Sequence, residues 1–201
     1  MSDRMDHGRA AQRHPELVAW RTARADGFEQ WARETGTPRT WDFSPESLAA
    51  LEDLVRDRYA DPEELFAARR EPFLQGACWY LGEVVCRAKG QVWKFEPFAL
   101  HGAPLPPLFA AAYEPGTIDY PQVGAANADI DEALSPMGAL YTLLSGVDDA
   151  GEPHDAHLPD LLEADAGDAG PTDDTDDATD TDDTDDTADA ADTHGADGAR
   201  S

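Results

Sequence analysis

Large apolar side chains recur at intervals of three and four in several stretches of the chain, the spacing that lines one face of a helix. In HPELVAWRTARADGFEQWARETG, Leu17, Trp20, Phe28 and Trp31 keep this rhythm, Gly36 supplies a stop and Gly27 weakens the middle. The spacing predicts a helix over about 15–35. In SPESLAALEDLVRDRY, Leu48, Leu51, Leu54 and Val55 form one stripe behind Ser44 as N-cap and Pro45 at the first helical position, which predicts a helix over 45–59. Asp61-Pro62 repeats this start ahead of EELFAARR, and Pro72 opens a longer helix, 72–89, that Gly90 ends. Ser135-Pro136 caps a last helix, MGALYTLLSG, closed by Gly146.

After Gly90 the rhythm changes from helical to alternating in QVWKFE, while Pro97, GAPLPP and EPG punctuate further short apolar runs, notably LFAAAY. A small antiparallel sheet is expected there. The predicted fold class is α+β: N-terminal helices packed on a small antiparallel sheet, one C-terminal helix, and a disordered acidic tail. The expected organisation is a flexible N-terminus at 1–12, a single globular domain at 13–147 and an Asp/Thr-rich tail at 148–201. The tail sequence TDDTDDATDTDDTDDTADAAD has no large apolar side chains to offset the entropy lost on ordering.

Charge sharpens this division. Of 42 acidic residues, 20 fall from Asp148 onward, where Arg200 is the only Lys or Arg, so −19 of the formal −27 belongs to the tail. That sign opposes nucleic acid and anionic lipid, which would both be repelled, so neither is expected as a direct partner. The N-terminus lacks an apolar signal core and no run of 18 apolar residues occurs, which leads to the expectation of a soluble, cytoplasmic protein without membrane contact. Cys78 and Cys86 stand eight residues apart, about 12 Å along a helix and too far for a disulfide, and read as reduced, buried small residues.

The stretch WYLGEVVCRAKGQVW, Trp79 to Trp93, carries a glutamate inside an apolar run. At about 100° per residue, Phe73, Leu74, Ala77, Cys78, Leu81, Val84, Val85 and Ala88 fall in one broad arc, and Glu83 lies on the other side, in line with Trp79, Arg87 and Gly76. One reading makes Glu83 the partner of Arg87 at i, i+4. The other notes that Gly76 and Gly82 each cost a helix about 1 kcal/mol against alanine, a cost tied to close packing or a groove. Trp79, Glu83, Arg87 and Trp93 are thus the candidate binding residues. Glu83 is expected to be mostly buried, hydrogen-bonded to Arg87, a strand amide or the Trp93 indole, and so to anchor this helix to the sheet.

YLGEVVCRAKGQVW resembles the Y-x-G-E-V, basic, glycine, tryptophan signature of several families of small uncharacterised bacterial proteins, mainly actinobacterial. The resemblance implies a helix running into the first strand of a small sheet, through Tyr80, Gly82, Glu83 and Val84 and then Gly90 and Trp93. It implies no activity.

Other chemistry is sparse. Cys78 or Cys86 with His101 would make a nucleophile and base, yet neither cysteine lies near a helix N-terminus that would lower its pKa. His154 and His157, with Asp155 and Asp160, could collect a transition metal, although in so polar a segment incidental residues are the plainer explanation. Glu63-Glu64 lies in a first helical turn, where the macrodipole accounts for it. No cofactor or metal is expected. The expected function is a non-catalytic cytoplasmic protein-interaction module, of an immunity-like or regulatory kind, with an unknown protein partner. Two alternatives stay open: a small-ligand-binding domain or enzyme using Glu83 with Trp79 and Arg87, and an acidic decoy of a nucleic-acid-binding protein.

Overall fold

The computed structural model describes residues 9–36, 39–97, 116–147 and 152–163. Its helices are α1 (Pro15–Thr35), α2 (Ser47–Arg58), α3 (Pro62–Ala67), α4 (Pro72–Lys89) and α5 (Pro136–Ser145), with strands β1 (Val92–Lys94) and β2 (Gln122–Gly124) and single 3-10 turns at Ile130–Glu132 and Leu158–Leu162. The architecture is α+β, with helices packed on a two-stranded antiparallel sheet.

Local signals act where they were read. Asp61 accepts the Glu64 amide at 2.8 Å and Ser135 accepts that of Gly138 at 3.1 Å, each side chain filling a donor that the first helical turn leaves unpaired. Gly90 and Gly146 both stop their helices at φ 65°, a left-handed conformation that other residues adopt only at a cost. Ser44 is the exception. Asp42 takes its amide at 2.9 Å, and its carbonyl accepts both the amide and the hydroxyl of Ser47, so 44–46 close a turn and the helix begins at Ser47.

Helix α4 is the axis of the molecule. Every residue from Phe73 to Gly82 is buried, as are Val84 and Val85, whereas Ala88, expected on the apolar arc, is exposed. The helix packs against α2, α5 and the turn at Leu158–Leu162, and α1 and the strands close onto it as well. Two glycines make the second closure possible. A Cβ on Gly76 would sit 2.4 Å from the Trp31 indole, and one on Gly82 would sit 2.1 Å from that of Trp93. Two indoles therefore lie directly on the helix backbone, Trp31 also donating to the Phe73 carbonyl at 3.0 Å.

In the sheet Trp93 pairs with Val123 and Lys94 with Gln122, and Val123 bridges onward to Leu134. Lys94 is completely buried, its ammonium donating to the Ala128 carbonyl beneath the 125–133 loop. Desolvation lowers its pKa against the opposing fields of Asp129 and Glu132. The apolar run LFAAAY lies outside the described residues.

Two boundaries need correction. The flexible N-terminus placed at 1–12 is too long, because residues 9–12 are helical, Ala11 is buried and its carbonyl accepts the Phe95 amide at 3.1 Å. The domain end placed at 147 is too early. Val147 bridges to Pro153, the His154 amide donates to the Gly146 carbonyl at 2.9 Å, and Leu158 is buried to 2% exposure with Leu161 and Leu162 packed beside it. The acidic average over the tail concealed three leucines that close onto the core. The Asp/Thr repeats lie outside the described residues.

Gly82→Ala is expected to lower stability by about 1–3 kcal/mol, because neither the indole nor the helix backbone can yield. Gly27→Ala, at a helix position where a Cβ would meet nothing within 4 Å, is expected to raise it by up to ~1 kcal/mol. Urea denaturation of the two variants checks both signs.

Candidate functional site

Three of the four candidate residues come together. Glu83, its side chain 14% exposed, accepts the Trp93 indole N–H on Oε1 at 2.8 Å, with Arg21 of α1 at 3.4 Å from the same oxygen and Arg87 at 3.8 Å from Oε2. The indole of β1 is thus hydrogen-bonded to the helix whose Gly82 it covers. Glu83 holds helix, strand and α1 in register, and the i, i+4 ion pair with Arg87 is the longest of its links.

Trp79 turns elsewhere. Its ring packs 5.5 Å from Phe28 and 5.8 Å from Phe43, and Arg87 lies over the Phe43 face at 3.6 Å. Phe43 itself adopts φ 63° and donates its amide to the Tyr80 hydroxyl at 3.0 Å, which in turn donates to Ser47 at 2.6 Å. Trp79 also lines a groove of about 440 Å³ between α1 and the start of α4, with Arg24, Gly27, Phe28, Trp31 and Phe73 among its walls. Glu83 and Arg87 are not part of that groove.

A buried residue that links three parts of the chain, Gln75, was not among the candidates read from the sequence. Gln75, 1% exposed, accepts the Trp20 indole N–H at 2.6 Å and donates to the carbonyls of Arg69 at 2.7 Å and Ile118 at 3.2 Å. Its signal was a lone amide inside PFLQGACWYLG, a polar group that must find partners once buried.

Beside the grip on Ile118 is a second one. Arg70 holds Asp119 through two hydrogen bonds, Nε to Oδ1 at 3.3 Å and Nη2 to Oδ2 at 2.8 Å, and Arg69 approaches the same carboxylate at 3.7 Å. The next residue, Tyr120, is forced to φ 56° although it precedes Pro121, whose ring favours extended backbone at that position. Tyr120 is left 38% exposed. Phe66 and Tyr141 are exposed beside it, and with Met137 and Thr142 they border a cavity of about 410 Å³. Arg69 stacks over Phe66 at 4.5 Å.

The nucleophile reading finds no support in the cysteines' surroundings. Cys78 and Cys86 are free thiols; burial pushes the Cys78 pKa well up, and burial with the nearby Glu83 pushes Cys86 up to about 12. His101 lies outside the described residues. No cluster of three or more metal-ligating side chains occurs among the described residues, and none of their helices is long and apolar enough to cross a membrane. His157 has a structural partner instead. Glu52 of α2 takes its ring Nδ1 at 2.9 Å, the Leu158 amide at 3.0 Å and Arg56 at 3.1 Å.

No protein-family model matches the chain, and neither curated proteins nor solved structures provide a match.

Glu83→Gln retains an oxygen for the Trp93 indole and is expected to cost well under ~1 kcal/mol. Glu83→Leu leaves that N–H without its acceptor and is expected to cost about 1–3 kcal/mol, read from denaturation midpoints. A pH dependence follows from Glu52 and His157. Desolvation raises the Glu52 carboxyl, but the Leu158 amide, His157 and Arg56 together outweigh it and hold its pKa below the ordinary 4.5. The hydrogen bond to Glu52, then its charge, raises His157 above 6.5. The His157 contribution is therefore complete below pH 6.5 and lost as pH rises through the folded value, while that of Glu52 is complete above 4.5 and lost as pH falls through its folded value. The 152–163 segment is expected to be held most firmly between those limits. Leu158 amide protection, normalised for intrinsic exchange, should lose its alkaline limb in His157→Gln.

Proposed function

We propose that the protein is a non-catalytic interaction module, and that its partner is another protein that inserts an apolar side chain between Phe66, Tyr120 and Tyr141. The observation that carries this reading is Tyr120. A non-glycine residue at φ 56° is strained, and strain of this kind persists only where the surroundings impose it. Here Gln75 and Arg70 hold the two preceding residues, and Tyr120 so positioned keeps 38% of its surface exposed. Aromatic, Met and Arg side chains are the types enriched at the centres of protein interfaces, and Phe66, Tyr120, Met137, Tyr141 and Arg69 supply them in one patch.

Glu83 favours this reading over an enzyme built on it, since both its oxygens face cationic or N–H groups of the protein itself. A carboxylate so engaged is suited to holding elements together.

A photo-crosslinking residue placed at Tyr120 is expected to give one discrete protein adduct in the native cell, and the same residue at exposed Val18 to give none. Tyr120→Gly relieves the strained φ while it removes the ring's packing on Phe66, so the fold should be retained, read by urea denaturation, while co-purification of that adduct's protein is abolished. Equal labelling from positions 120 and 18 would remove the reading.

A further inference from the structure

The groove between α1 and α4 presents a different chemistry from the Tyr120 patch. One face of α1 supplies much of its wall: Arg24, Gly27, Phe28 and Trp31 follow one another at the spacing of adjacent turns. Phe73 and Trp79 face them from α4.

Two features of this wall lack a structural explanation. The first is Arg24. Its guanidinium is half-buried, and its Nε, wholly shielded from solvent, has no acceptor among the described residues. Burial lowers its pKa. A shielded guanidinium N–H without an acceptor forfeits the hydrogen bond that water would give it. The second is Gly27. Gly76 is required by the Trp31 ring, but a Cβ on Gly27 would meet nothing within 4 Å. A glycine in a helix interior with no close neighbour weakens the helix and gains no packing, and its visible effect is to keep the groove open.

We propose that this groove binds a small planar monoanion, an aromatic carboxylate, with its carboxylate on Arg24 and its ring lying over Gly27 between Phe28, Trp31 and Trp79. Arg24 brings a guanidinium to the groove wall, and guanidinium matches carboxylate in planar geometry. The aromatic walls and the missing side chain specify a flat apolar body. The rest of the lining disfavours a more highly charged anion: Glu34 and Glu71 offset the two guanidinium groups of Arg24 and Arg58, the latter lying over the Phe73 face at 4.1 Å. The cavity of about 440 Å³ is within the range of small-molecule sites, roughly 300–1,000 Å³. This site stands apart from the protein-docking patch, and either can fail without the other.

The test is a titration of the full chain with sodium 1-naphthoate, with uncharged 1-naphthamide as the control, followed by the indole N–H resonances of Trp31 and Trp79. Saturable shifts with naphthoate are expected, and at least tenfold weaker binding of the amide. Arg24→Gln should reduce naphthoate to the level of the amide. Gly27→Leu, which fills the groove with a good helix former, should abolish binding of both while the melting temperature does not fall. Equal affinity for acid and amide, an unchanged affinity in Arg24→Gln, or shifts by inorganic phosphate at the same concentration would each overturn the proposal. So would the absence of any saturable shift.

Discussion

The amide of Gln75 ties together three separate parts of the chain. It is buried inside α4 and reaches Trp20 on α1, the carbonyl of Arg69 at the end of the preceding turn, and Ile118 beyond the sheet's first strand. A buried amide with one side unpaired would cost about 1–3 kcal/mol per lost group, so each partner is held by the others. Its consequence runs outward. Fixing Ile118 fixes Asp119 within reach of Arg70, and the two grips leave Tyr120 no extended conformation to take. A core hydrogen bond thus determines the posture of a surface ring.

The helices were legible because their signals are local. Asp61, Pro62, Ser135, Pro136, Gly90 and Gly146 act within one turn of where they stand, and the structure uses each as read. Ser44 failed because its carbonyl is taken up by the amide and hydroxyl of Ser47 in a separate turn, which moves the helix start three residues on. The strand that begins after Gly90 was visible in the change of period, and its mate at Gln122–Gly124 was not, since three residues around a glycine carry no periodic signal. The closure of 152–163 was hidden by averaging: its leucines are few, and the acids around them dominate the composition.

Carboxylates show the same divide between near and far. Glu83 with Arg87 and Glu52 with Arg56 are i, i+4 pairs that any helical projection finds. Their closer partners are an indole ten residues on and an amide more than a hundred residues on. Spacing alone could place Trp93 among the donors for Glu83, because the strand follows the helix directly. It could not place Leu158 over Glu52, nor Arg24 in the wall of a groove, since those depend on how separate elements pack.

The contact of the Trp31 and Trp93 rings with Gly76 and Gly82 has a meaning for descent as well as for stability. At each pair the volume available is shared: what the helix position gains, the ring position must give up. Positions 76 and 31, and positions 82 and 93, should therefore vary as linked couples among relatives of this chain. An alanine or serine at 82 is admissible only alongside a smaller ring or a shifted strand at 93, and a lineage that changed one alone would pass through a poorly folded intermediate. Covariation at these two couples, rather than identity at any single position, would be the mark by which remote kin of this fold are recognised.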